Sequence, residues 1–445
     1  MDLKPRLAII GAGYVGLVAS ACFAELGFKV ICVEKNEQKF KKLKKRESPI
    51  YEPLLAQLIE KNLANERLMF SDSLNEVILL SDVIFITVDT PITEDMRVDV
   101  SNVEHIIRSI APLLNCYKVI VVKSTAGVGL TRRLANMIDE INSAAQFDMV
   151  SNPEFLRAGS AIKDFMDPDR IILGIENERA SKIMTQLYQP FIDKNIPIIY
   201  TNLEEAELIK YAANCFLAMK VGFANEMAHL CENLGVEIKN VLHGMGLDKR
   251  IGNNYLQPGP GIGGSCLSKD ALALSFMAKM QGAPLSIMEA VLKSNSQHKH
   301  RMIEKIIAAC NGSVANKRLA ILGIAFKANT DDIRESPTLS MITQLQCFGA
   351  ILQLYDPVVK QIPPYENISF GATIDDTIND ADAVIIMTEW EEFRELSLTK
   401  IKNALRNDTI PPTLIDLRNL FTPKLALAAG LRYFYLGSND LKISR

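Results

Sequence analysis

Residues 7 to 34 read LAIIGAGYVGLVASACFAELGFKVICVE. A short apolar run, a glycine-punctuated turn, a helical stretch and a second apolar run ending in an acid make the opening of a βαβ unit, which commits the chain to a parallel sheet. Within GAGYVG, Gly11 makes the tight turn, Gly13 lets a pyrophosphate approach the backbone, and Gly16 allows the helix to pack on the sheet. Glu34 closes the second run, where a carboxylate binds both hydroxyls of an adenosine ribose and repels a 2′-phosphate. The pattern therefore calls for NAD rather than NADP, although Lys35 and Lys39 nearby soften that preference. An apolar N-terminus also invites comparison with a signal peptide or membrane anchor, but Glu25 and Lys29 interrupt the run and no small-residue cleavage site follows it.

Further strands are expected at DVIFITV (82 to 88), KVIVVKS (118 to 124) and DMVSNP (148 to 153), with helical patterns between them, so residues 1–202 read as one doubly wound domain. From 203 to 235 the sequence has no proline, good helix formers throughout and a glycine at its end. It reads as one long helix linking two halves of the molecule. Helical patterns continue to 310, making 203–310 a central helical region. Strands return at KRLAILGIAF (317 to 326), AILQLYDP (350 to 357), DAVIIMTEW (382 to 390) and TLIDLRN (413 to 419), and 311–445 repeats the alternation of the first section. The expected fold class is α/β, with two Rossmann-like doubly wound domains joined by a long central helix. A chain of 445 residues exceeds what one core usually supports, which agrees.

Charge excludes some functions. With 52 acidic against 49 basic residues, a net charge of −3 gives no electrostatic case for nucleic acid or an anionic membrane surface. The eight cysteines are scattered, with no C-x-x-C pair and no metal-ligand spacing, so no metal site is expected and a reduced cytoplasmic enzyme is the simplest fit. HKH at 298 to 300 lies on a polar helical stretch and reads as solvated surface.

One thiol stands apart. In GPGIGGSCLSKD (259 to 270), Cys266 opens a helical pattern, and a helix N-terminus favours thiolate. Lys269 adds positive charge, while Asp270, one turn on, is placed to orient a water or take a proton. On this stretch alone the alternative is a buried, inert cysteine in a glycine loop. On the long helix, Lys210 and Asn214 are four apart and share a face; they are either a surface lysine and its neighbour or a pair that binds an oxyanion and holds a water. In SNPEFL (151 to 156), Glu154 follows a proline at a strand end, where α/β proteins place ligand sites.

Nine segments in order, GAGYVG, SPIYEP, SNPEFL, DPDRIILG, AELIKYAAN, GLDKRIG, GPGIGGSCLSKD, GIAFKANTDDIRESP and DLRN, span essentially the whole chain and resemble the nucleotide-sugar 6-dehydrogenases of the UDP-glucose/GDP-mannose dehydrogenase family. The resemblance implies an NAD-dependent four-electron oxidation of a sugar C6 alcohol to a carboxylate, through an aldehyde that Cys266 captures as a thiohemiacetal and then a thioester. It implies that Lys210 stabilises the oxyanion, that Asn214 and Asp270 position water and share proton transfers, that Glu154 is a general acid/base, and that Thr125 helps order water. Gly11, Gly13, Val15, Gly16, Glu34, Lys39, Thr90, Thr125, Lys269 and Arg334 match cofactor positions. Glu154, Phe155, Leu156, Lys210, Asn214, Arg250, Tyr255, Leu256, Gln257, Gly259, Gly263, Phe326, Lys327 and Arg418 match positions that bind the nucleotide sugar, Arg250 across a homodimer whose interface includes the long helix. The same resemblance leaves room for a higher homo-oligomer.

Some positions depart from the family's pattern. Asp89 in VDTP stands where a small or neutral residue is common, Ala126 and Gly127 replace a valine-proline pair, Ala158 replaces glutamate and Ser268 replaces proline. These bear on cofactor affinity and rate. Relatives acting on UDP-N-acetylmannosamine tend to carry histidine where Ser265 stands, and those acting on GDP-mannose resemble this chain less around GLDKRIG, so UDP-glucose is the favoured substrate. A two-electron hydroxyacid dehydrogenase would have no need of Cys266, and a catalytically silent binder of NAD or nucleotide sugar is the reading from another functional class.

Overall fold

The computed structural model describes residues 4–93, 95–362, 368–406, 408 and 410–437. The chain forms two compact units, Met1–Ala213 and Asn214–Arg445, and the division falls within the helix Leu203–Leu234.

The first unit is built on an eight-stranded sheet. Its strands are β1 (Leu7–Ile10), β2 (Val30–Val33), β3 (Leu68–Ser71), β4 (Val83–Ile86), β5 (Lys118–Val122), β6 (Phe147–Ser151), β7 (Ile171–Gly174) and β8 (Ile198–Thr201). They lie in the order β3-β2-β1-β4-β5-β6-β7-β8, parallel except where β6 meets β7. Alternation along β1 and β4 explains why these two strands are apolar throughout. Leu7, Ile9, Val83 and Phe85 join one core with Leu17 and Phe23, while Ala8, Ile10, Ile84 and Ile86 join another with Ile107 and Leu134. A parallel sheet covered on both faces favours apolar residues at every position of its central strands.

The second unit carries a six-stranded parallel sheet, in the order β11-β10-β9-β12-β13-β14, which repeats the first six positions of the other sheet. The strands are β9 (Arg318–Leu322), β10 (Ile351–Tyr355), β11 (Ile368–Phe370), β12 (Ala383–Ile386), β13 (Thr413–Asp416) and β14 (Arg432–Tyr435). In both sheets the order of strands reverses while the strands stay parallel, between β1 and β4 in one and β9 and β12 in the other. The likeness of DAVIIMTEW to DVIFITVDTP thus reflects equivalent places in two sheets.

The long helix runs 32 residues, about 48 Å at 1.5 Å per residue. Gly235 follows it with φ of +74°, the left-handed conformation that ends helices with a glycine. Among the described residues no helix is long and apolar enough to cross a membrane. One sequence expectation fails here: His298, read as solvated surface, is buried within the helix Ser286–Ala309, while His300 is exposed. The polar neighbours concealed a periodicity in which Val291, Ser294, Asn295, His298 and Met302 form the inward face.

Candidate active site

The switch point of the first sheet holds the glycine turn. Gly11 leaves β1 with φ of +104°, and a Cβ there would lie 3.1 Å from the Thr87 carbonyl oxygen. Gly13 stands at the start of the helix Tyr14–Glu25 with nothing within 4 Å of where its Cβ would be, so the helix N-terminus is open to close approach. Gly16 is the reverse case: its Cβ would stand 1.8 Å from the Gly11 oxygen. One position is open and one is closed by packing, which fits a dinucleotide laid over the turn.

Glu34, at the end of β2, is buried, and its carboxylate accepts from the Ala12 amide at 3.2 Å and the Asn36 amide at 2.7 Å. Those two bonds hold the acid beside the turn. Val15 and Lys39 are half-buried near it in sequence. Across the switch point the buried Thr90 hydroxyl donates to the Thr125 carbonyl at 2.5 Å, tying the loops after β4 and β5 together. Asp89 is exposed in the first of these loops; Ala126 is buried in the second, and Gly127 has open space around it.

At the end of β6 stands a buried ion pair. The Lys210 ammonium donates to the Glu154 carbonyl at 2.5 Å and to its carboxylate at 2.9 Å, and Lys210 is only 3% exposed, which excludes a surface lysine. The other carboxylate oxygen accepts from the Leu156 amide at 2.5 Å. Burial pushes the Glu154 carboxyl up, but the Lys210 charge and these hydrogen bonds outweigh it and hold the group below the usual carboxylate range. Phe155 is packed against cations, with the Arg170 guanidinium 3.6 Å from its ring centroid and the Lys210 ammonium at 5.2 Å.

In the second unit, Cys266 is exposed and occupies the N-cap of the helix Leu267–Met280. The Ser265 hydroxyl lies 3.8 Å from its sulfur. One turn on, Asp270 is 1% exposed and accepts from the Asn214 amide group at 2.6 Å. Its second oxygen lies 3.0 Å from the Lys269 ammonium, a charge contact whose angles are not those of a hydrogen bond. The surroundings separate this thiol from its neighbour Cys215, which burial, reinforced by Asp270, pushes up to about 12. An exposed thiol at a helix N-terminus, beside a carboxylate already bound to an amide, is equipped for nucleophilic attack and for the proton movements that accompany it.

The loop before the thiol packs on residues from the C-terminal sheet. A Cβ on Gly259 would meet the Arg418 guanidinium at 2.9 Å, and one on Gly263 would meet Phe326 at 3.0 Å and Pro337 at 2.7 Å. Arg418 is in turn fixed by donation to the Met387 and Phe326 carbonyls, at 2.8 and 3.0 Å. Tyr255 takes φ of +64°, Leu256 is buried and Gln257 is exposed. Lys327 is half-buried beside Phe326. Two expected site residues are held by acids beside them: Arg250 is 89% exposed in its side chain and paired with Asp248 at 2.5 Å, and Arg334 is held by two bonds of 2.8 Å to Asp332.

Comparison with known proteins accords with this geometry. The NAD binding domain of the UDP-glucose/GDP-mannose dehydrogenase family matches residues 5–192, its central domain 204–297 and its UDP binding domain 320–423. UDP-glucose 6-dehydrogenase TuaD of Bacillus subtilis (strain 168) is 42% identical over 438 residues, covering 97% of this chain and 93% of that protein. The chain belongs to the UDP-glucose/GDP-mannose dehydrogenase family. A UDP-glucose 6-dehydrogenase of Rhizobium meliloti (strain 1021) is also 42% identical, over 98% of this chain and 100% of its own. Among solved structures, a UDP-glucose dehydrogenase from the hyperthermophilic archaeon Pyrobaculum islandicum superposes with a TM-score of 0.88 at 33% identity, covering 97% of this chain and 98% of that one. As a member of this family the chain is an NAD-dependent oxidoreductase. Gly11 to Glu34 fall in its NAD binding domain, Lys210 to Asp270 in its central domain, and Phe326 to Arg418 in its UDP binding domain.

The structure also shows three buried or bonded groups that the sequence did not single out. Lys123, at the end of β5, is buried and donates to the Asn152 side-chain oxygen at 3.1 Å. Burial pushes its ammonium down to about 8, with Glu154 acting against the shift and Lys210 adding to it. Glu52, in SPIYEP, accepts from the Gly159 and Ala161 amides at 2.6 and 2.8 Å and so anchors the turn after SNPEFL. Asp356, after β10, accepts from Ile324 and Ala325 at 2.8 and 3.1 Å, as Glu34 does from Ala12 in the first sheet. The available signal was an acid ending a second strand, present in both domains.

Proposed function

We propose that this chain oxidises the C6 alcohol of UDP-glucose to the carboxylate of UDP-glucuronate, using two equivalents of NAD, with Cys266 as the nucleophile. The observation that carries the reading is the exposed Cys266 at a helix N-terminus with Asp270 and Asn214 bonded together one turn away. The UDP-glucose 6-dehydrogenases that resemble this chain over nearly its full length support the choice of sugar.

NAD, when bound, accepts hydride. Everything else falls to the chain. The helix N-terminus opened by Gly13 takes the pyrophosphate and Glu34 the adenosine ribose, with Val15, Lys39, Thr90, Thr125, Lys269 and Arg334 as further cofactor contacts. In the first oxidation the C6 hydroxyl gives up its proton as its hydride leaves, and Glu154 is the acid/base assigned to that proton. The Cys266 thiolate then adds to the aldehyde carbon; the carbonyl π electrons move to oxygen, where the Lys210 ammonium stabilises the charge. Loss of a second hydride and of the hydroxyl proton turns the thiohemiacetal into a thioester. A water held by Asn214 and Asp270, with Thr125 helping to order it, adds to that carbon and releases carboxylate and thiol.

The nucleotide sugar is assigned to Phe155, Leu156, Arg250, the Tyr255–Gly263 loop with Leu256, Gln257 and Gly259, and Phe326, Lys327 and Arg418. Exposed Phe216, Phe223 and Leu230 recur every seven residues along the long helix, which suits burial against a second copy in a homodimer. Scattered cysteines, all free, suit a reducing compartment, and we place the enzyme in the cytoplasm on that ground.

The test is NADH released per sugar consumed, followed by absorbance with UDP-glucose, UDP-N-acetylmannosamine and GDP-mannose in parallel. Two NADH per UDP-glucose, lost in Cys266→Ser, is the expected result. One NADH with an indifferent variant would mean a two-electron dehydrogenase, two NADH from another of the sugars would change the substrate, and none with any would leave a silent binder.

A further inference from the structure

Between residues 256 and 264 the loop before the thiol makes no backbone–backbone hydrogen bond among the described residues. Side chains hold it instead. The Gly259 amide donates to the Asn225 side-chain oxygen at 2.9 Å, the Gly259 carbonyl lies 2.7 Å from His298 Nε2, and the Ile262 amide donates to the Asn295 side-chain oxygen at 2.8 Å. All three holding residues are buried, on the helices Leu203–Leu234 and Ser286–Ala309. Gly259 is therefore gripped through both its polar groups, while Arg418 closes the side on which a Cβ would project.

The chemistry of His298 fixes its form. A carbonyl oxygen can only accept, so Nε2 carries the proton and Nδ1 the lone pair. Nδ1 is buried without a hydrogen-bond partner among the described residues. Burial pushes the imidazole down to about 4, partly offset by the bond to Gly259, so the ring is neutral at pH 7. A leucine would fill the same space without leaving a ring nitrogen unsatisfied; what histidine adds is one donor aimed at one carbonyl.

We propose that His298, in its neutral Nε2–H form, is a positioning residue for the nucleotide-sugar loop: it fixes the Gly259 carbonyl and thereby sets affinity for the nucleotide sugar without touching it. The inference rests on the reading that this loop binds UDP-glucose. Asn225 and Asn295 serve the same loop, but theirs are acceptors for amides, and His298 alone among the three supplies a donor.

The experiment compares His298→Gln, whose amide keeps a donor of similar reach, with His298→Leu, which removes it. UDP-glucose and NAD binding to the full-length enzyme are measured by calorimetry, with KM and kcat for each substrate. The expected result is UDP-glucose affinity within about threefold of wild type for the glutamine variant and about tenfold or more weaker for leucine, since an orphaned buried carbonyl loses a full hydrogen bond. NAD affinity stays unchanged in both. Equal UDP-glucose affinity in the two variants, or equal loss for both ligands, would overturn the proposal. A wild-type enzyme that binds NAD but not UDP-glucose would instead sink the functional reading, and the inference with it. Should the leucine variant fail to fold, ¹⁵N NMR of histidine-labelled wild type decides: a protonated Nε2 with bare Nδ1 from pH 6 to 8 is required, and the opposite tautomer or an imidazolium refutes it.

Discussion

Lys210 holds Glu154 at two points, donating to its carbonyl at 2.5 Å and to its carboxylate at 2.9 Å, and so joins the long helix to the turn that ends β6. Replacing Glu154 by glutamine keeps the shape and removes the charge. If Glu154 handles protons, kcat falls by about a hundredfold or more. The melting temperature also drops at pH 7, because the Lys210 ammonium then faces a neutral amide in a buried site. The sign of the pH effect follows from the lowered carboxyl: its stabilisation is present above the unfolded value, about 4.3, and is lost as pH falls through the lower folded value. Thermal melts of the two proteins should therefore converge as pH drops below the ordinary carboxylate range. A gap that stays constant or widens would mean that the pair does not stabilise the fold as the geometry implies.

Gly13 and Gly16 give opposite expectations for the same substitution. Gly13→Ala places its methyl in open space, so the protein should fold and melt like wild type while NAD affinity falls by about tenfold or more, because the methyl occupies the approach to the helix N-terminus. Gly16→Ala places its methyl 1.8 Å from the Gly11 oxygen, and the turn must break to admit it. That variant should be destabilised by more than about 3 kcal/mol or fail to accumulate as soluble protein. NAD titration beside thermal denaturation separates them; a Gly13→Ala protein that binds NAD normally would remove the dinucleotide from this turn.

The contrast between these glycines shows what was legible in the sequence. Strands in the middle of each sheet, such as Val83–Ile86 and Ala383–Ile386, are apolar on both faces and stand out as runs. The strands that sequence reasoning did not assign lie mostly toward or at the edges, where β3, β8 and β11 expose residues and lose the pattern. β7 is buried and follows the turn residues Asp167, Pro168 and Asp169, but a run of four, IILG, is too short for its period to show a strand. Residues that reach a motif from far along the chain left no local trace. Glu52 contacts backbone 107 and 109 residues away, and His298 grips Gly259 from 39 away. The thiol and its acid were legible because helix geometry alone places Asp270 one turn beyond Cys266.

Cysteine exposure leads to a chemical test. Under limiting iodoacetamide, Cys266 should be alkylated well ahead of Cys32, Cys215 and Cys310, which are buried and whose thiols burial pushes up to about 12, 12 and 11. Cys116 and Cys347 are also exposed but carry no helix N-cap role, so they provide the internal comparison. Peptide mass spectrometry over time, against residual activity, gives the order. Activity lost in step with Cys266 labelling is the expected outcome; activity that survives complete Cys266 labelling would exclude a nucleophilic role for it.

Lys123 carries a stability cost of its own in the first unit. Its ammonium is buried beside Asn152, whose side-chain oxygen also accepts from Tyr188 at 2.5 Å, and burial lowers it to about 8. The unfolded chain, with a value of about 10.4, binds more protons than the folded chain between those limits, so native stability must rise as pH climbs through that window. At pH 7 the full penalty is present, on the order of 3 kcal/mol, and Lys123→Met would remove it at the loss of about 1 kcal/mol of hydrogen bonding. The methionine variant should therefore be the more stable protein at pH 7 by denaturant titration, and its advantage should vanish by pH 10.5. Its kcat should fall, because the charge that Lys123 places beside Glu154 and Lys210 is gone. A wild-type to variant difference that does not change with pH would show that the lysine is not buried as an ammonium, while a variant of full activity would make Lys123 a structural residue and no part of the site's electrostatics.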